Sequence, residues 1–237
     1  MKAPLAAFVL CLLPGCLSAN EAAIRKALEP KLGGATIEAV QPAPVRGLYE
    51  VRFRTAEGLR ILYTDAEARH VIQGNIFELR SGRDLTEERL RKLSAIEFGS
   101  LPLEQAVKIR RGSGKRVLAM FSDPYCPACK RFEGELQRVE DITIYVFMYP
   151  VIRPDLAEHS KAVWCSGDRG TAWLDLVLRG KRPAANSSCA GPIERNLELG
   201  RKLQVNATPT LIFANGERHS GGLPIPQLEE RLDQAAR

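Results

Sequence analysis

One stretch constrains this chain more than any other. Val117-Leu118-Ala119-Met120-Phe121 is an unbroken apolar run, and Cys126-Pro127-Ala128-Cys129 follows four residues later. An apolar run of strand length reads as a central strand covered on both faces. Phe132, Leu136 and Val139 then recur at helical spacing. The order is therefore strand, dithiol, helix, which sets Cys126 at a helix N-terminus. Pro127 suits the first helical position, where its missing N–H costs nothing. Unpaired N–H groups and the helix dipole favour an anion there, so the Cys126 thiol is expected to ionise below its ordinary value. Cys126 is then the exposed nucleophile that attacks a substrate disulfide. Cys129, one turn on and more buried, resolves the mixed disulfide. Lys130 either adds to the stabilisation of the thiolate or lies in solvent.

Other readings of the dithiol fit less well. A zinc site needs two further ligands, and neither Cys165 and Cys189 nor the three histidines have the spacing for it. No metal and no cofactor are expected. A two-residue disulfide loop at a helix start has little use as a staple. His70, His159 and His219 share no catalytic spacing with the cysteines and read as surface or structural. Asp123 reads as a strand-end turn former with no proton-transfer role.

The rest of the cysteine pattern depends on where the mature chain begins. Met1-Lys2, the apolar run Ala3 to Leu13 and Pro14-Gly15-Cys16-Leu17-Ser18-Ala19 have the form of a secretory signal peptide. Cleavage is expected near Ala19. Leu13-Pro14-Gly15-Cys16 also resembles a lipobox, which leaves a lipid anchor on Cys16 as a second possibility. The apolar runs are too short for a transmembrane helix. Cleavage leaves Cys126, Cys129, Cys165 and Cys189, and an even count in an exported chain implies pairing. The spacings favour Cys126–Cys129 and Cys165–Cys189. The second pair closes a loop worth roughly 3–4 kcal/mol in the chain-entropy model. The formal net charge of +6 is scattered. Its densest cluster, Lys108, Arg110, Arg111, Lys115 and Arg116, lacks interleaved aromatics. It reads as a solvated loop before a strand, with no nucleic-acid partner.

The 237 residues suit one large domain or two small ones. After the signal peptide (1–19), residues 20–82 read as a short helix followed by strands. Ala23, Ile24, Ala27 and Leu28 have helical spacing, and Pro30 stops the helix at Glu29. Tyr49, Val51 and Phe53 alternate with charged residues. Leu59, Ile61 and Tyr63 continue after Glu57-Gly58, with Leu62 breaking the alternation, so a hairpin with one buried face is expected. Val71-Ile72 and Ile76-Phe77 add short strands. A sheet this small is marginal alone, and it either dimerises or packs on the larger domain. Residues 83–98 read as a linker helix, Asp84 to Glu97, with Glu87/Arg91 and Glu88/Lys92 paired at i,i+4. Residues 99–237 read as α/β. They hold strands at 117–121, 142–147 and 210–213, a mainly helical stretch at 155–204, an Asn215-Gly216 hairpin turn and a closing helix, Ile225 to Ala235. Thr208-Pro209 precedes the third of those strands. The dipeptide alone favours a trans bond. A fold that sets it opposite the dithiol favours cis, which would expose the Thr208 backbone to a substrate strand.

With these pieces placed, the chain resembles the DsbC/DsbG family of periplasmic disulfide isomerases over nearly all of its length beyond the signal peptide. The likeness rests on Gln41-Pro42-Ala43-Pro44-Val45, Leu62-Tyr63-Thr64-Asp65 and His70-Val71-Ile72-Gln73-Gly74. Further on it rests on Asp123-Pro124-Tyr125-Cys126-Pro127-Ala128-Cys129-Lys130, Ala162-Val163-Trp164-Cys165 and Ala207-Thr208-Pro209. The N-terminal strings are the more specific part.

The resemblance implies a thioredoxin-like catalytic domain with a helical insertion. A small cystatin-like α+β dimerisation domain and a linker helix would precede it. It further implies a V-shaped homodimer whose dithiols face an uncharged cleft, kept reduced by a membrane-bound thiol reductase. The clients would be misfolded or misoxidised exported proteins, with chaperone activity beside the redox chemistry. Cys126 and Cys129 would be catalytic, Thr208 and Pro209 would bind substrate, and Cys165–Cys189 would be structural. The isomerase branch usually carries Cys-Gly-Tyr-Cys, whereas Cys-Pro-Ala-Cys looks closer to the DsbG branch. Trp164-Cys165 with Cys189 looks like the isomerase branch. A reductase of sulfenylated single cysteines and a holdase with incidental thiols therefore stand as alternatives.

Overall fold

The structure, a computed structural model, describes residues 15–55, 58–184 and 189–236. Of the expected signal peptide, residues 1–14 lie outside the described residues, and so does Glu57 of the expected turn. Gly15 onward is helical. Among the described residues no helix is long and apolar enough to cross a membrane. The chain divides into two compact units, Met1–Leu90 and Arg91–Arg237.

In the first unit, helix α1 (Gly15–Leu28) runs further upstream than the spacing of Ala23 to Leu28 suggests. It passes into a single 3-10 turn at Glu29–Lys31, with Pro30 inside it. Four antiparallel strands follow in sheet order, β1 (Thr36–Pro42), β2 (Leu48–Thr55), β3 (Gly58–Asp65) and β4 (Val71–Ile72). Ile24 and Leu28 of the helix bury against Ile37, Val51 and Leu62.

The hairpin differs from its expected form. Thr55 pairs with Gly58, which sets Val51 opposite Leu62 and Glu50 opposite Tyr63. Directly opposed residues share a face. Leu62, the residue that breaks the alternation, is therefore the one under α1, while Leu59, Ile61 and Tyr63 take the other face. That face is also covered. The Tyr63 hydroxyl lies 2.6 Å from that of Thr86, and Glu50 accepts from Gln41 at 3.0 Å. With both faces packed, period-2 alternation is lost.

A two-stranded ribbon, β5 (Phe77–Glu78) and β6 (Arg83–Asp84), leads into α2 (Leu85–Leu93). The Asp84 carboxylate accepts the Glu87 N–H at 2.9 Å and caps α2. The helix stops at Leu93 rather than Glu97. Ile96 has left it because its N–H is taken by the Gly216 carbonyl at 2.9 Å.

The second unit is a five-stranded sheet in the order β11-β10-β8-β9-β7. Its strands are β7 (Val107–Arg111), β8 (Arg116–Ser122), β9 (Ile142–Met148), β10 (Thr210–Phe213) and β11 (Arg218–Ser220). Only the β8–β9 pair is parallel, joined by helix α3 (Pro127–Leu136). Helices α4 (Ala157–Trp164), α5 (Arg169–Arg179) and α6 (Ile193–Lys202) separate β9 from β10, and α7 (Ile225–Ala235) closes the unit. Leu118 and Met120 bury with Phe132, Leu136 and Trp173 on one face. Ala119 and Phe121 bury with Phe147, Tyr149 and Ile212 on the other. This double burial is why β8 reads as a continuous apolar run.

Residues 107–111 are not a solvated loop. Val107 and Ile109 face the core, and Lys108 and Arg110 face water. The Arg111 guanidinium reaches back to the carbonyls of Leu136 and Val139, and Arg116 bonds Glu229 and Asp233 of α7.

Candidate active site

Strand β8 ends at Ser122 and Asp123 follows it, both fully buried. Cys126 is the N-cap residue of α3, with extended backbone (φ −77°, ψ 121°) and Pro127 as the first helical residue. Its own carbonyl accepts the Lys130 N–H at 3.0 Å and starts the helical ladder. The N–H groups of the first turn have no intrahelical partner, and those of Ala128 and Cys129 turn toward the Cys126 sulfur. Across from the dithiol the Thr208-Pro209 peptide bond is cis. The Cys126 thiol donates to the Thr208 carbonyl oxygen at 3.3 Å.

These neighbours split the two sulfurs chemically. Burial pushes the Cys126 thiol up. The Thr208 side chain, the Cys129 and Ala128 N–H groups and the Cys129 thiol outweigh that and hold it below its ordinary value. No charged side chain is needed. Lys130, a candidate for that role by sequence, sets its ammonium 5.7 Å above the Tyr125 ring. Cys129 is fully buried. Burial pushes its thiol up to about 12, against opposing hydrogen bonds from the Asp123 backbone and the Ser122 and Thr208 side chains. Both sulfurs are free thiols. Cys126 itself is only 6% exposed, less open than expected of an exposed nucleophile.

Two residues set aside in the sequence contribute to the architecture. Asp123 is no mere turn former. One carboxylate oxygen accepts the Tyr125 N–H at 2.7 Å, and the other accepts the Ile152 N–H at 2.7 Å. It thereby ties the turn that carries Cys126 to the loop after β9. The His159 Nδ1 is hydrogen-bonded to the Tyr125 hydroxyl, which brings α4 to the residue before the dithiol. No sequence spacing signals either tie, because the partners lie 29 and 34 positions apart. His70 pairs with Asp65 at 2.6 Å in the first unit.

Beneath the helix, the fully buried Glu133 accepts the Trp173 indole N–H at 2.7 Å. Cys165 and Cys189 form a disulfide with a Cα–Cα distance of 5.8 Å, joining the end of α4 to the segment before α6. Among the described residues no cluster of His, Cys, Asp or Glu is placed to hold a metal ion.

Residues 17–87 match the family model described as the disulfide bond isomerase protein N-terminal domain. Residues 103–236 match the thioredoxin-like domain. A probable thiol:disulfide interchange protein DsbC of Bordetella parapertussis is 39% identical over 210 residues, covering 89% of this chain and 73% of that protein. The chain belongs to the DsbC/DsbG family of thiol:disulfide interchange proteins. DsbC of Escherichia coli is 27% identical over 95% of this chain and 93% of its own. DsbG of Pseudomonas aeruginosa is 29% identical over 84% of this chain and 91% of its own. The crystal structure of a disulfide interchange protein from Neisseria gonorrhoeae superposes with a TM-score of 0.55. It is 42% identical and covers 58% of this chain and 99% of that one. The family resemblance drawn from the sequence is thus borne out. The chain is a thiol-disulfide oxidoreductase of the isomerase type with a thioredoxin-like domain, and the reading as a holdase with incidental thiols is not favoured.

Proposed function

We propose that this protein reduces and isomerises incorrect disulfides in exported proteins, with Cys126 as the attacking sulfur and Cys129 as the resolving one. The observation that carries the assignment is the opposite ionisation of the two thiols. Cys126 is held low by helix N–H groups and Thr208, and Cys129 is held high by burial. Such a pair makes Cys126 the more readily ionised sulfur and keeps its partner protonated.

The Cys126 thiolate attacks one sulfur of a client disulfide. A Cys126–client S–S bond forms, the client bond breaks, and the second client sulfur leaves as a thiolate. In isomerisation that thiolate goes on to attack another client disulfide. A client thiolate finally displaces Cys126, and no net electrons are transferred. In reduction Cys129 loses its proton to the departing client sulfur and attacks Cys126. The client thiol is released, and Cys126–Cys129 is left oxidised. Two electrons have passed to the client, so an outside dithiol reductase must return them, and we assign that to a membrane-bound thiol reductase.

Ionisation of Cys126 also ends its donation to the Thr208 carbonyl. The carbonyl is then free to accept an N–H from an extended client segment, which is the role we assign to Thr208 and Pro209. The Cys165–Cys189 bridge serves as a staple.

The remaining assignments follow the family. Residues 20–82 form a dimerisation domain, 83–98 a linker and 99–237 the catalytic domain. Exposed Val71, Ile72, Phe77 and Leu79 in the first unit support a homodimer. The signal-like residues 1–19 and the Cys165–Cys189 bridge support a periplasmic setting.

The test is refolding of scrambled ribonuclease. The reduced protein restores its activity, and Cys126→Ser removes most of that gain. Equal rescue by the variant would contradict the assignment.

A further inference from the structure

In the second unit, the large apolar side chains exposed among the described residues are Val151 (41%) and Ile152 (51%). They sit at one place relative to the chemistry. Strand β10 lies on one side of β8 and β9 on the other. Because β9 runs parallel to β8 and β10 antiparallel, the loop after β9 and the Thr208-Pro209 loop before β10 lie at the same end of the sheet as Cys126. The dithiol is thus flanked by Thr208 on one side and by Val151 and Ile152 on the other.

The second flank is held in place. The Tyr149 N–H bonds the Ser122 carbonyl at 2.9 Å, and the Val151 N–H bonds the Tyr149 carbonyl at 2.9 Å. The buried Asp123 carboxylate takes the Ile152 N–H with one oxygen and the Tyr125 N–H with the other. Next along the chain, the Arg153 guanidinium is occupied by Asp155 at 2.8 Å. Two apolar side chains therefore stand in water on a backbone fixed to the turn that carries the nucleophile.

We infer that Val151 and Ile152 form an apolar subsite for the client side chain two residues from the attacked cysteine. The inference rests on the reading that Cys126 attacks client disulfides. Adjacent strands lie about 4.8 Å apart, and two residues of extended chain span about 6.6 Å. Tyr125, next to Cys126, and Ile152 share the Asp123 carboxylate at 2.7 Å each, so a client whose sulfur is at Cys126 and whose extended chain runs toward this loop reaches it within two residues. Side chains in an extended chain alternate, so the residue two positions away shares the face of the cysteine. An apolar side chain there leaves water against Val151 and Ile152, whereas a serine gains nothing. Misfolded chains, which expose apolar residues beside their cysteines, would be preferred over folded ones.

The test uses disulfide-linked peptides that carry Leu or Ser two residues before, or two residues after, the reactive cysteine. Glutathione disulfide serves as a substrate too small to reach the subsite. Single-turnover rates are followed with the full-length reduced protein. The expected result is a preference for Leu of about ten-fold in one of the two positions. Val151→Ser/Ile152→Ser reduces that preference to near unity while the glutathione disulfide rate is unchanged. Both replacements keep the Ile152 backbone N–H that Asp123 holds. The inference is overturned if Leu gives no advantage in either position, or if the advantage survives the double substitution. If the wild-type protein reacts with neither peptide nor glutathione disulfide, the parent reading fails, and this one fails with it.

Discussion

The Thr208 carbonyl oxygen lies 3.3 Å from the Cys126 sulfur, although strand β9, helices α3 to α6 and 82 positions of sequence separate the two residues. The same residue offers its side chain to the sulfur as a hydrogen-bond partner that favours the thiolate. Thr208 is therefore part of what ionises Cys126, and under the proposed function its backbone also docks the client.

Thr208→Val separates these two roles, because it keeps the backbone carbonyl and removes the hydroxyl. Alkylation by iodoacetamide reads the thiolate fraction directly. In the reduced wild-type protein Cys126 should be alkylated with an inflection below the ordinary thiol range, and Cys129 should stay unreactive. The valine variant should react several-fold more slowly at pH 6, the scale of one hydrogen bond to a charged group. An unchanged rate would remove Thr208 from the ionisation of Cys126.

The buried Glu133 predicts a pH dependence of stability. Burial pushes its carboxyl up to about 7, against the pull of the Trp173 indole and the Arg111 charge. Between the ordinary glutamate value and about pH 7 the folded state binds the proton that the unfolded chain has lost. Stability therefore falls as pH rises through that window. The loss is on the order of 3 kcal/mol for a shift of this size. Glu133→Gln keeps an oxygen for Trp173 and cannot ionise. Urea unfolding should show the variant close to wild type at pH 5 and more stable at pH 8. Parallel pH profiles for the two proteins would contradict the assignment.

The Cys165–Cys189 bridge closes a separation of 24 residues. Replacing both by serine should lower the unfolding free energy by roughly 3–4 kcal/mol. Reduction of glutathione disulfide should be left near the wild-type rate, since neither sulfur contributes to the ionisation of Cys126. Loss of that rate in a folded double variant would show that the bridge does more than staple.

Legibility of the sequence followed burial. Strand β8, the dithiol at the start of α3, β10 and α7 were all readable. Each has an unbroken apolar core run, a fixed cap residue or a stripe at helical spacing. The hairpin was legible but its second packed face was not, because β3 is packed on both faces, with Leu62 under α1 and Tyr63 against Thr86. Strand β7 was hidden by its own basic residues. Val107 and Ile109 alternate with Lys108 and Arg110, but Arg111 and Arg116 turn inward to carbonyls and carboxylates. At the site, the cysteines and Thr208-Pro209 were legible as motifs. The ties made by Asp123 to Ile152 and by Tyr125 to His159 were not, because they join segments that only the folded sheet and helices bring together.

The central claim is that Cys126 attacks client disulfides and Cys129 resolves the adduct. Trapping tests it most directly. Reduced Cys129→Ser, mixed with scrambled ribonuclease and quenched with alkylating agent, should accumulate a thiol-sensitive adduct joined through Cys126. Wild type should show little of that adduct, and Cys126→Ser should show none. An adduct through Cys129 in the Cys126→Ser protein, or none with Cys129→Ser, would contradict the account.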